Sequence, residues 1–366
     1  MPEATRTVIV GAGPAGLAVA ACLTRARQPF VLLEQGHGVA DRWRSRYRRL
    51  HLHTAKQYSA LPYLPFPSAH PRYPSRHQVV EYLEGYARHF GIAPRFGERV
   101  VALARDDGTW TVTTSGASYR AKHVVLCTGH SDAPRRPTWP GLETFRGETL
   151  HSAEYESGGR FSGRRVLVIG LGNSGGEIAI DLAEAGARPE IAVRGPVNVV
   201  PRDFLGQPIQ RSTILLSRLP VAVRDRIGRT ISRLAFGDLT ALGLPAPREG
   251  PVSGIVGRGR IPLIDVGTIA LVRSGKIGLR SGVRRFDDDR VTFADGTTAS
   301  FDAVIFATGY EAGMAKLVAP LDLPTDARGL PHADGLHLVG FTPPPTGLLR
   351  EIAIEARRVA ARIGAA

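Results

Sequence analysis

The chain has 366 residues, 43% hydrophobic and 22% charged, a balance that suits one large or two medium globular domains and excludes a disordered or fibrous chain. Its net charge is +14, but the 47 basic residues include only four lysines (Lys56, Lys122, Lys276 and Lys316) and are scattered along the chain. No basic tail or helical stripe forms, so nucleic acid is not the expected partner and the anionic phosphates of small cofactors are. Two cysteines, Cys22 and Cys127, exclude a disulfide framework, a CxxC redox centre and a multi-cysteine zinc site, and no metal is expected. The longest apolar run, residues 8–23, is broken by Gly11, Gly13, Pro14 and Gly16 and is short for a membrane span of about 20 residues. With no secretory signal pattern, a cytoplasmic location with no membrane partner is the expectation.

In chain order, an apolar strand over residues 7–10 is followed by Gly11-Ala12-Gly13-Pro14-Ala15-Gly16, a helix over 17–25 and a second strand over 30–33. The cluster Asp106-Asp107-Gly108 predicts a hairpin. A strand over 124–127 ends in Thr128-Gly129, and Pro134 to Pro140 reads as a connector. The opening pattern then repeats: a strand over 165–169, Gly170-Leu171-Gly172-Asn173-Ser174-Gly175-Gly176, a helix over 177–185 and a strand over 190–193. Residues 202–242 are helical in pattern and read as an insert able to cover a site. Asp295-Gly296 marks another hairpin, residues 304–307 form a strand ending in Thr308-Gly309, and a surface helix is expected over 351–363. The alternation predicts an α/β chain with two doubly wound Rossmann-like domains and small antiparallel β inserts. The expected boundaries are 1–153 and 304–366 for a discontinuous first domain, and 154–303 for the second.

A GxGxxG turn between a strand and a helix permits close approach of a pyrophosphate, which the free N–H groups of the helix N-terminus receive. In the first half the following strand ends at Glu34, 18 residues after Gly16, where a carboxylate can accept from both ribose hydroxyls. In the second half that place holds Arg194 with no acid beside it, which suits the 2′-phosphate of NADPH. Two sites with different ribose readers imply two dinucleotides, naturally FAD in the first and NADPH in the second.

Between the halves, Phe145, Gly147, His151 and Tyr155 form the pattern FxGxxxHxxxY, which resembles the fingerprint of class B flavin-dependent monooxygenases. The segment from Arg49 to Pro62, with Pro65-Phe66-Pro67, Pro71-Arg72-Tyr73-Pro74, Gly172 to Gly175, Val200-Pro201-Arg202, Leu263 to Gly267 and Ala307 to Tyr310, looks like the YUCCA-type branch, and the resemblance covers nearly the whole chain. That branch comprises indole-3-pyruvate monooxygenases using FAD, NADPH and O2. His53 stands where mammalian-type flavin monooxygenases carry an Asn.

The resemblance implies oxygen transfer from a C4a-(hydro)peroxyflavin, with oxidative decarboxylation of an aromatic 2-oxo acid as the leading reaction. An N- or S-oxygenase on a small specialised metabolite is the alternative, and a non-catalytic flavin-binding redox sensor a further one. The lone cysteines argue against a disulfide reductase. His53 and Asn173 are the candidate catalytic residues, either of which could also be purely structural. Lys56 and Gln57 are expected at the flavin edge, and His151 is expected to couple the two domains and the nicotinamide. Cofactor contact is further expected at Gln35, Trp43, Val101, Thr128, Gly129, Ser174, Arg202, Thr308, Gly309, Tyr310, Gly340, Phe341 and Leu348. A homodimer is admitted, and no residue for the substrate carboxylate is singled out beyond Arg202 and the other arginines.

Overall fold

The computed structural model describes residues 2–130, 132–326 and 329–365. Two sheets organise the chain. In the first, strands Val31–Leu33, Glu3–Val10 and Ser118–Leu126 lie side by side in parallel, followed by the antiparallel pair Thr109–Thr114 and Val100–Asp106. The last four residues of the two central strands, Thr7 to Val10 and His123 to Leu126, are buried, as parallel strands covered on both faces are. Strand Ser118–Leu126 uses one edge twice. Its first half pairs with Thr109–Thr114, and its second half takes the late strand Leu336–Leu338 in parallel. That pairing returns the chain to the first sheet for its last helix.

The second sheet is parallel throughout, in the order Gly278–Ser281, Arg188–Val193, Arg165–Ile169, Ala303–Phe306, Glu148–His151. The expected boundaries after residues 153 and 303 therefore cut across this sheet. Glu148–His151 and Ala303–Phe306 both belong to it, flanking one another through the register Phe306 to His151. A four-residue strand carries no label of the sheet it will join, so sequence periodicity could not place these two.

Helix Pro14–Arg25 begins with Pro at its first turn and is buried from Ala15 to Leu23, wedged between the first sheet and the C-terminal helix Leu348–Ala365. The hairpin at Asp107-Gly108 has both turn residues at positive φ, the type I′ geometry that matches strand twist. A helix the periodicity reading passed over, Arg76–His89, starts at a capping box in which Ser75 and Gln78 satisfy each other's backbone N–H groups. The insert folds as helices Ile209–Leu215 and Val221–Phe236 after a short strand pair, Asp203–Phe204 with Gln207–Pro208. Trp139 of the connector stacks on Phe306, pinning that segment to the second sheet. Among the described residues, no helix is long and apolar enough to cross a membrane.

Candidate functional site

The two glycine turns have the same geometry. A Cβ on Gly16 would lie 1.8 Å from the Gly11 carbonyl oxygen, and one on Gly175 would lie 1.9 Å from that of Gly170. These glycines let each helix sit directly against its turn. Gly13 and Gly172 differ, since a Cβ there would meet nothing within 4 Å. Both border a single cleft of about 1150 Å³ onto which both helix N-termini open. A backbone bare on the side facing a cavity is what a pyrophosphate needs in order to approach N–H groups, so the residues fit the two expected dinucleotides.

In the first half, Gly11, Pro14, Ala15, Gln35, Trp43, Val101, Thr128 and Gly129 also border the cleft. The Thr128 hydroxyl is buried without a hydrogen-bond partner among the described residues. Glu34 does more than was expected of it. Its two oxygens accept from the Ala12 N–H at 2.7 Å and the Gly36 N–H at 2.8 Å, tying the glycine turn to the strand end. Each oxygen keeps a lone pair for a ribose hydroxyl.

In the second half, Asn173 and Ser174 begin helix Asn173–Glu184 at the cleft wall. The Asn173 side-chain oxygen accepts from the Ile264 N–H at 2.8 Å, which fixes the amide and leaves its NH2 end free. His53 lies opposite, with its Nε2 3.1 Å from Glu177 Oε1, although the angle is too poor for a hydrogen bond. Glu177 is only 4% exposed, and the Tyr47 hydroxyl donates to its other oxygen at 2.6 Å. Burial, then the Glu177 charge, pushes the Tyr47 hydroxyl far above its ordinary range, so it stays a donor. Tyr47 and Glu177 were not singled out in the sequence, though a Glu inside the apolar run after Gly175-Gly176 was the available signal.

The remaining wall comes from Gly309, Tyr310, Gly340, Leu348 and the insert. The N-terminus of helix Leu348–Ala365 faces the cleft. It is held by buried Gln210, which donates to the Thr346 carbonyl at 2.8 Å and accepts from the Ala55 N–H at 3.0 Å. His130, also unanticipated, borders the cleft with its pKa lowered by burial.

Several expected contacts are not on the wall. The Lys56 ammonium donates to the carbonyls of Pro67, Ser68 and His70, closing a loop, and Gln57 is exposed outside the cleft. Lysine at a three-carbonyl loop clasp looks the same in sequence as lysine at a ligand. His151 is fully buried: its Nε2 donates to the Gly309 carbonyl at 3.1 Å and its Nδ1 accepts from the Ala153 N–H. Burial lowers its pKa, and the two bonds make it a neutral structural link between the end of strand Glu148–His151 and the turn at Gly309. Thr308 donates to the Arg135 carbonyl, and Phe341 packs edge-on against His130 behind the wall. Arg202 stacks on Tyr73 and pairs with Asp203, so it is not a free carboxylate binder. Arg194 ends strand Arg188–Val193 exposed, without an ion pair among the described residues and outside the cleft wall. Gly16, Gly170 and Gly175 lie behind the wall as packing positions.

Residues 8–203 match the pyridine nucleotide-disulphide oxidoreductase family. The chain is 41% identical over 357 residues to indole-3-pyruvate monooxygenase YUCCA6 of Arabidopsis thaliana, covering 92% of this chain and 86% of that protein. It is 40% identical over 352 residues to indole-3-pyruvate monooxygenase YUCCA1 of Oryza sativa subsp. japonica, with the same coverage. The flavin-containing monooxygenase from Stenotrophomonas maltophilia has the same fold, with a TM-score of 0.76 at 22% identity over 99% of both chains. The disulphide chemistry in the family's description has no counterpart here, since Cys22 and Cys127 are both buried and unpaired. The chain belongs to the YUCCA-type family of class B flavin-dependent monooxygenases, and FAD and NADPH are its cofactors.

Proposed function

We propose that the protein couples NADPH oxidation and O2 to the oxidative decarboxylation of an aromatic 2-oxo acid, with indole-3-pyruvate the leading substrate. The observation that carries this reading is a single cleft onto which both glycine turns open and which continues into an apolar chamber beneath the helical insert. The activity named for the two plant relatives supplies the substrate class. The balanced conversion takes the oxo acid, NADPH, H⁺ and O2 to the acid shorter by one carbon, CO2, NADP⁺ and water.

In this reading FAD is held by the turn at Gly13, by Glu34 and Gln35, and by Trp43 and Thr128. NADPH is held by Gly172, Asn173 and Ser174, with Arg194 at the 2′-phosphate. When bound, NADPH supplies the hydride and FAD the activation of O2. The protein's own work is positioning and exclusion. Asn173, fixed by Ile264, presents an amide donor at the helix N-terminus. His53 stands at the cleft wall with its Nε2 3.1 Å from the buried Glu177 carboxylate, which fixes where the imidazole sits. Ile209, Leu216, Ile227 and Ile231 line the chamber and keep water from the reacting atoms. Two buried free thiols suit a reducing cytoplasm. Sedimentation would test the homodimer that accompanies the reading.

Incubation with indole-3-pyruvate, NADPH and O2 should yield indole-3-acetate and CO2 in step with NADPH use, above a no-enzyme control for spontaneous decay. His53→Ala and Asn173→Ala should raise hydrogen peroxide formed per NADPH. Stimulation by an amine or sulfide and not by the oxo acid would replace this reading with an N- or S-oxygenase. Bound flavin without any stimulated turnover would point to a redox sensor.

A further inference from the structure

We infer that Arg224 is the residue that receives the substrate carboxylate, at the insert side of the cleft; the inference rests on the 2-oxo acid reading above. Arg224 lies on helix Val221–Phe236, and Arg224, Ile227, Gly228 and Ile231 all border the cleft. Their spacing of i, i+3, i+4 and i+7 is one face of a helix. That face is fixed in place. The neighbouring Asp225 is buried and accepts from the Val252 N–H at 2.7 Å, capping helix Pro251–Arg258. A Cβ on Gly228 would sit 2.7 Å from Pro251 Cγ, so the two helices are in direct contact. The same part of the cleft is lined by Ile209, Leu216, Val252 and Ile255 together with the uncharged polar Gln210, Ser212 and Thr213.

Among the described residues the guanidinium has no partner. Its Nε is buried without a hydrogen bond, and among the described residues no carboxylate or carbonyl pairs with its side chain. The other cations of the cleft are accounted for. Arg42 pairs with Asp132, Arg46 donates to Tyr310 and stacks on its ring, and Arg99 and Lys316 are exposed to water. No acid lines the cleft along the insert, from Val200 to Ile264. A guanidinium drawn into apolar surroundings with unmet donors is unfavourable in isolation, and an entering carboxylate, able to accept two parallel N–H bonds, satisfies it. The fork geometry selects a carboxylate over a neutral amide, while the isoleucine and leucine side chains take the aromatic part. Arg224 thus supplies the specificity for acids that the sequence left among many arginines.

The test uses FAD-loaded protein and two probes of nearly equal shape, indole-3-acetate and neutral indole-3-acetamide, with binding followed by calorimetry. The wild type should bind the acid at least ~10-fold more tightly than the amide, the size of one charge-assisted pair. Arg224→Met keeps the apolar stem and should bind both alike, with the KM for indole-3-pyruvate raised roughly 10–100-fold. Arg224→Lys keeps the charge without the fork and should recover part of the preference. Flavin content and Tm identify any variant that fails to fold; the Lys variant then decides, and an undiminished acid preference there overturns the assignment. An Arg224→Met protein with wild-type KM and acid preference also overturns it, while the functional reading stands. If the wild type prefers the acid and Arg224→Met does not, but indole-3-pyruvate is not turned over, the subsite stands and the proposed reaction falls.

Discussion

Replacing Gly172 or Gly175 with alanine adds the same methyl group three residues apart, and the two variants should fail in different ways. At Gly175 the new Cβ would lie 1.9 Å from the Gly170 carbonyl oxygen, 3.1 Å from its carbon and 3.3 Å from Ala307 Cβ. An unstrained carbon–oxygen contact needs well over 3 Å, so the helix must back away from the turn by more than 1 Å. Overpacking on this scale costs about 3 kcal/mol or more. For a unit of this size that is a Tm loss of roughly 6–12 °C. At Gly172 the Cβ meets nothing within 4 Å, so stability should fall by about 1 kcal/mol or less, the difference between glycine and alanine at a helix N-cap. In the proposed reading the methyl then stands where the NADPH pyrophosphate enters. Losing one charge-assisted N–H bond there costs about 1.5–3 kcal/mol, or roughly 10–150-fold in NADPH affinity. Flavin content should be unchanged, since the turn proposed for FAD is the other one. Thermal denaturation, heat-released flavin and the KM for NADPH separate these outcomes. Equal Tm losses, or an unchanged KM in Gly172→Ala, would refute the division of packing and approach between the two glycines.

Arg194→Ala should weaken NADPH roughly 10–150-fold while leaving NADH nearly unaffected, as expected for one guanidinium–phosphate contact; an equal loss for both cofactors would place the 2′-phosphate elsewhere. Acid stability should depend on His337, whose pKa is pushed down to about 4 by burial and by His123, with its Nε2 3.4 Å from His123 Nδ1. The folded pKa lies below the unfolded value near 6.5, so unfolding takes up a proton between these pH values. Stability is full above pH 6.5 and is lost as pH falls toward 4, by about 2 kcal/mol at pH 5. His337→Phe should reduce the Tm difference between pH 7 and pH 5; an unchanged difference would locate the acid sensitivity in other groups.

The sequence by itself determined the two strand–turn–helix units, the identities of their glycines and the flavin-dependent class. These are local features: a Gly-rich turn between an apolar strand and a helix is written within about 30 residues, and the FxGxxxHxxxY linker within eleven. It did not determine which side of a residue faces the ligand. Lys56, His151, Arg202 and Thr308 stand in the right segments, yet each is turned to a carbonyl, a backbone amide or a neighbouring ring. Nor could it assign strands Glu148–His151 and Ala303–Phe306 to the second sheet, because pairing partners far apart in the chain leave no mark in a four-residue strand. The buried Tyr47–Glu177 pair beside His53, and Arg224 in its apolar chamber, exist only where separate segments meet. A charge becomes informative when burial leaves it one neighbour or none, and burial is a property of the tertiary structure alone.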